Sequence, residues 1–211
     1  MVNIKDIQQF EENKIETSKN NIIKQIFDKQ KELLEKYREI EKMPVNIEIN
    51  NPHHQKFLKE FTFRGIEELA EAYEAFLEKD EEHLIEEISD AIHFFTEVLI
   101  MADISESELN IIDNFRGLSE KNKLSLWKKE FIIKEFWNIT YNFSIACNRL
   151  KCKPWKRTQV LTDVNSYKKI LIHSYNEFMK LLNYLGFSGE EILNIYINKH
   201  LVNKFRIRSN Y

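Results

Sequence analysis

Four acidic residues at paired one-turn spacings are the part of this 211-residue sequence best suited to chemistry: Glu68 with Glu71, and Glu87 with Asp90. Each pair would lie on one face of a helix. The pairs are symmetrical about position 79, the midpoint of 71 and 87 and also of 68 and 90. If Lys79-Asp80 turns the chain between two antiparallel helices, Glu71 and Glu87 stand at the same height, about 12 Å from the turn, with Glu68 and Asp90 one turn higher. Four carboxylates then meet in one patch. Without a cation they repel one another and resist ionisation, so hard divalent cations are their natural counter-charge. Every candidate ligand atom is oxygen, which favours Mg2+ over zinc. The alternative is a solvated acidic face, where most Glu residues sit. It suits Glu68 and Glu71, which lie opposite the apolar stripe Ile66, Leu69, Ala70, Tyr73, Phe76 and Leu77. It suits Glu87 and Asp90 less well, because they share a row with Ala91, Phe94 and Met101 and are expected to be half-buried.

A second cluster lies at the C-terminal end. Glu191 is the last acid, and Lys199, Lys204, Arg206 and Arg208 follow it. Lys199, Asn203 and Arg206 fall at i, i+4 and i+7, one stripe of a helix. A basic stripe facing a metal-loaded acidic patch is what a polyphosphate needs, with cations on one side of its oxygens and Lys and Arg on the other. The plainer reading is a solubilising basic tail. Four cations in a chain of net charge -3 make a weak nucleic-acid footprint, so no such partner is expected.

The elements that must position these groups are helices. Only 4 Gly and 3 Pro occur, too few for the turns of a β sandwich or barrel. Neither a G-x-G-x-x-G nor a G-x-x-x-x-G-K-[ST] motif is present, which disfavours a doubly wound α/β sheet. An all-α chain with one core follows, read as a polar extension over residues 1–20 and a single domain over 21–211. Amphipathic periodicity predicts helices from about Lys19 to Lys42, Ile66 to Glu78 after Gly65, Asp80 to Ala102, Leu124 to Leu150, Asp163 to Leu185, and Ser188 to Arg206, with a further start at Ser105 and a break at Gly117. Ser105 with Glu108 and Ser188 with Glu191 are capping boxes 83 residues apart, which suggests a degenerate internal repeat. At that offset Asp90 falls on His173 and Glu87 on Ile170, so the second copy lacks the acids. Cys147 and Cys152 match no common zinc or redox spacing, and no apolar run approaches a bilayer span. The expectation is a cytoplasmic protein with reduced thiols.

Taken together, Glu68-x-x-Glu71 and Glu87-x-x-Asp90 resemble the E-x-x-E and E-x-x-D signature of the all-α nucleoside triphosphate pyrophosphohydrolases, the MazG-like enzymes and dimeric dUTPases. Asp90-Ala91-Ile92-His93-Phe94-Phe95 is similar to the D-x-x-H-F-F continuation of the dUTPase and phage dCTPase-dUTPase branch. Lys153-Pro154-Trp155-Lys156 resembles its K-P-W-K segment, and Lys199-x3-Asn203-x2-Arg206-x4-Tyr211 its C-terminal ending. Phe27-Asp28-Lys29-Gln30 resembles the early helix whose Gln reads the uracil edge. The terminal segment departs from the usual R-Q-x-x-G-Y, having Ile207 and Asn210 in place of the Gln and the Gly.

The resemblance implies a MazG-like helical bundle that hydrolyses dUTP, with dUDP and dCTP as further candidates, to the monophosphate and pyrophosphate. It implies that Glu68, Glu71, Glu87 and Asp90 hold two or three Mg2+ ions, with Glu68 also orienting the attacking water. Lys199, Asn203, Arg206 and Lys156 would bind phosphate, Gln30 would donate to and accept from the base, and Trp155 would line the base pocket. His93 is expected to be a core histidine. A homodimer is implied as well. A broad MazG-like pyrophosphohydrolase and an inactive helical interaction module are the competing readings.

Overall fold

The computed structural model describes residues 22–109, 129–153 and 160–209. Six helices occur there: α1 (Ile22–Glu41), α2 (His54–Glu78), α3 (Glu81–Met101), α4 (Lys129–Arg149), α5 (Val164–Tyr184) and α6 (Gly189–Arg208). No strand occurs among the described residues, so the chain is all-α. The apolar positions of all six helices join one core cluster. Helix α3 is its axis, packing against α1, α2, α5 and α6. Residues 1–21 and 110–128, with the expected break at Gly117, lie outside the described residues, as does the proposed start of α4 at Leu124.

The hairpin that the acidic spacing requires is present. Helix α2 ends as Lys79 enters the left-handed region at φ 63°, and the Asp80 amide bonds back to the Ala75 carbonyl at 3.0 Å. Asp80 then caps α3, accepting from the His83 amide at 3.0 Å. A lysine in the left-handed conformation costs about 1 kcal/mol relative to glycine. The Asp80 cap contributes about as much in the opposite sense.

Gly65 corrects one expectation. It does not precede a helix at Ile66 but lies buried inside α2, which begins a full three turns earlier at His54. A Cβ at residue 65 would stand 2.5 Å from the Phe95 ring on α3. Phe95 is itself stacked on Phe143 with ring centroids 3.8 Å apart, so the ring has little room to yield. Glycine is there to let α2 and α3 approach closely, which outweighs its helix propensity cost of about 1 kcal/mol.

Ser105 likewise opens only a single 3-10 turn, Glu106–Glu108, within the described residues. The 83-residue offset nevertheless extends well beyond the two serines. Helix α3 becomes α5 residue for residue, with Asp80 and Asp163 as N-caps accepting from the third amide on. Asp103 (φ 55°) and Gly186 (φ 93°) make the same positive-φ turn after those helices. The closing bonds repeat too: Ile104 to Leu99 and Phe187 to Leu182 are both 3.0 Å.

Candidate active site

Helix α2 contributes Glu68, half-buried, and α3 contributes Glu87, 7% exposed, and half-buried Asp90. Carboxylate oxygens of these three lie within 4.8 Å of one another. Glu71 joins through Glu87, in a second group with His83 whose ligand atoms meet the same distance. Glu87 is therefore common to both groups. His83 was not anticipated, although its i,i+4 relation to Glu87 was readable; its Nε2 stands 2.9 Å from Glu87 Oε1.

Helix α6 lies across this patch. Lys199 Nζ stands 2.6 Å from Asp90 Oδ2 and 3.3 Å from Glu86 Oε1. Asn203 and Arg206, further along the same stripe, line a cleft of about 210 Å³ together with Glu68, Asp90 and Gln30. Tyr37, His93, Phe94 and Glu97 complete much of its wall. Glu97 escaped the sequence reading even though an acid inside the apolar run Phe94 to Met101 is itself a signal. Trp155 and Lys156 lie outside the described residues.

Gln30 lines the cleft, on the side of α1. Its Oε1 accepts from the Tyr196 hydroxyl at 2.7 Å. The Tyr196 ring stacks on His93 with centroids 4.3 Å apart, and His93 Nδ1 donates to the Ser89 carbonyl at 2.8 Å. His93 is thus a buried core histidine, as expected, that also borders the cleft.

The electrostatics follow from burial and crowding. Burial, then the neighbouring Glu87 and Asp90, push the Glu68 carboxyl up to about 8. Burial also raises Asp90, with its bond to Lys199 working against the shift. Burial opposes the Lys199 charge, but Asp90 and Glu86 more than offset it and leave the ammonium above the ordinary lysine range. Burial drives His93 down to about 3, so its imidazole is neutral. Three crowded oxygen ligands, of which Glu68 and Asp90 are held back from ionising, are the donor chemistry a hard divalent cation fits.

The decisive observation is a comparison: a family profile described as dUTPase matches residues 22–211, nearly the whole chain. The chain belongs to the dUTPase family. It is a dUTP diphosphatase, an enzyme whose substrate is a nucleotide and whose acidic cluster suits a divalent metal. No curated protein and no solved structure gives a significant match. Among the described residues, no helix of this dUTPase is long and apolar enough to cross a membrane.

A pH dependence follows for the cation-free enzyme. Glu68 is raised from 4.5 to about 8 on folding, so the native state holds its proton more tightly than the unfolded chain. The stability this gives is complete below about pH 4.5 and is lost as pH rises through about 8. A divalent cation binds the ionised form, so its stabilisation should grow over the same window. Melting temperatures from about pH 5 to 9, in EDTA and in millimolar MgCl2, should diverge toward alkaline pH. A gap that stays constant with pH would contradict the crowded trio.

Proposed function

We propose that this dUTPase hydrolyses dUTP to dUMP and pyrophosphate in a Mg2+-dependent reaction, with residues 21–211 acting as a single domain and residues 1–20 as a polar extension. The observation that supports it most is the convergence of Glu68, Glu87 and Asp90 within 4.8 Å, in a cleft that Asn203 and Arg206 also line. Glu68, Glu71, Glu87 and Asp90 hold two or three Mg2+ ions. Bound there, the ions would neutralise phosphate oxygens and lower the pKa of coordinated water. Glu68 also orients the attacking water and takes its proton. Lys199, Asn203 and Arg206 bind phosphate oxygens, Arg206 with a planar fork suited to two of them. Lys156 adds a further phosphate contact, and Trp155 lines the base pocket. Gln30 donates to and accepts from the base. The protein works as a cytoplasmic homodimer.

Pyrophosphate release from dUTP, dUDP, dCTP, dTTP, dATP and UTP, each with MgCl2 and product analysis, tests this reading. Turnover of dUTP to dUMP, lost in EDTA and restored by Mg2+, is the expected result. Equal rates across purine and pyrimidine nucleotides would point instead to a broad MazG-like pyrophosphohydrolase. Inertness toward every nucleotide would leave a helical interaction module.

A further inference from the structure

His83 brings a nitrogen to a patch whose other candidate ligand atoms, on Glu68, Glu71, Glu87 and Asp90, are all carboxylate oxygens. The hairpin arranges these groups on three levels. Glu71 and Glu87 share the middle one, Glu68 and Asp90 stand one turn further from the bend, and His83, four residues before Glu87, stands one turn nearer to it. Glu87 is thereby common to an inner set with Glu68 and Asp90 and an outer set with Glu71 and His83. The two sets face different neighbours. Lys199 on α6 reaches the inner one, with Nζ 2.6 Å from Asp90 Oδ2. In the outer one the imidazole turns its Nε2 toward Glu87 Oε1 at 2.9 Å. A His–Glu pair one turn apart on an open helix face is ordinarily a weak surface contact. Here the carboxylate is 7% exposed, and Glu71 on the facing helix brings a further oxygen within 4.8 Å of both ligand atoms. The Asp80 side chain accepts from the His83 amide at 3.0 Å and so fixes the turn that carries the imidazole.

We infer that Glu71, Glu87 and His83 form a mixed nitrogen and oxygen metal site, which takes a first-row transition-metal ion in preference to Mg2+. This rests on the acidic patch being the metal centre proposed above, and it adds a ligand to the four carboxylates. Mg2+ demands near-ideal octahedral oxygen coordination and gives up its waters reluctantly, so it gains little from an imidazole. Borderline ions of the first transition row accept imidazole readily, and their affinity for a given site rises from Mn2+ through Fe2+ to Co2+. The inner set offers oxygen alone and remains suited to Mg2+. Glu87 has two carboxylate oxygens, one for each position, so the patch accommodates unlike ions side by side. The identity of the outer ion is then decided by His83.

Calorimetric titration of the full chain with CoCl2 and, separately, with MgCl2 tests this without requiring turnover. The wild type should bind Co2+ more tightly than Mg2+. His83→Ala removes a direct ligand and should weaken Co2+ binding at least about tenfold while leaving Mg2+ binding nearly unmoved. His83→Glu puts an oxygen where the nitrogen was, so it should keep Mg2+ binding and still lose the preference for Co2+. Position 83 is exposed and is the third residue of α3, where both alanine and glutamate suit a helix, so neither variant threatens the fold. Pulsed electron paramagnetic resonance of the Mn2+-loaded wild type should show a directly bound imidazole nitrogen, and both variants should lack it. Co2+ and Mg2+ affinities that fall in parallel in His83→Ala, or a wild type without the nitrogen signal, would overturn the inference. Mg2+ binding that His83 does not influence, together with unchanged Co2+ binding, defeats this inference alone. A wild type that binds no divalent cation defeats the metal centre and this inference with it.

Discussion

Replacing Glu87 with Gln is expected to lower dUTP turnover on the order of a thousandfold while raising the melting temperature of the cation-free protein. The two effects share one cause. Glu87 belongs to both ligand groups, the trio with Glu68 and Asp90 and the outer set with Glu71 and His83, so no other acid of the four can take over its position. It is also the most deeply buried of them, at 7% exposure. In the absence of a cation its carboxylate is one reason the Glu68 carboxyl lies near 8, behind burial itself. An amide of the same shape removes that charge and lets Glu68 ionise more readily. The contact with His83 that changes is worth little, since His83 is exposed. A net gain of about 1 kcal/mol would raise the melting temperature by about 2–4 °C in EDTA. In MgCl2 the order should reverse, because the wild type alone retains the full ligand set. This is the trade of stability for function expected where like charges are held together for a ligand. Turnover within tenfold of the wild type, or a lower melting point in EDTA, would show that Glu87 is not the ligand the two groups share.

How much of this was readable beforehand depended on the range of the interactions involved. The one-turn spacings and the shared midpoint at residue 79 are local, and the Lys79-Asp80 hairpin follows from them even though a lysine does the work of a glycine. The Asp80, Asp163 and Ser188 caps were legible for the same reason. Gly65 was misread because its purpose lies 30 residues away, in the face of Phe95. The periodicity of His54 to Arg64 was obscured by the buried and half-buried polar residues of that segment. Among these, Gln55 is fully committed, donating to the Ile49 carbonyl at 2.7 Å and accepting from the Cys152 amide at 2.9 Å. Gln30 shows the limit most clearly. Its type suited base recognition, and its carbonyl oxygen also accepts from the Tyr196 hydroxyl, 166 positions later, a contact that no local pattern could reveal.

Lys199→Met is expected to reduce kcat/KM for dUTP about a hundredfold and, in the opposite sense, to raise the affinity of the free enzyme for a divalent cation several-fold. Lys199 is the charge that faces Asp90 when no metal does, with Nζ 2.6 Å from the carboxylate and a side chain only 13% exposed. A cation arriving at Asp90 must therefore compete with an ammonium already in place. Removing that ammonium abolishes the competition, but it also leaves the free protein with a half-buried carboxylate that has lost its partner, at a cost of about 1–2 kcal/mol. Metal binding would recover that cost, so the variant should be less stable than the wild type in EDTA and close to it in MgCl2. The substrate sees the reverse of what the metal sees. A triphosphate drawn onto Asp90-bound cations loses, in the variant, the donor nearest the acidic patch on α6, and Arg206 is two turns further along the helix. Lys199→Arg keeps the charge but swaps a compact ammonium for a planar fork, so it should preserve the cation affinity and recover only part of the turnover. Calorimetric titration with MnCl2 and steady-state kinetics on the same preparations separate the two effects. A variant whose cation affinity is unchanged or lower would mean that Lys199 and the metal do not share Asp90.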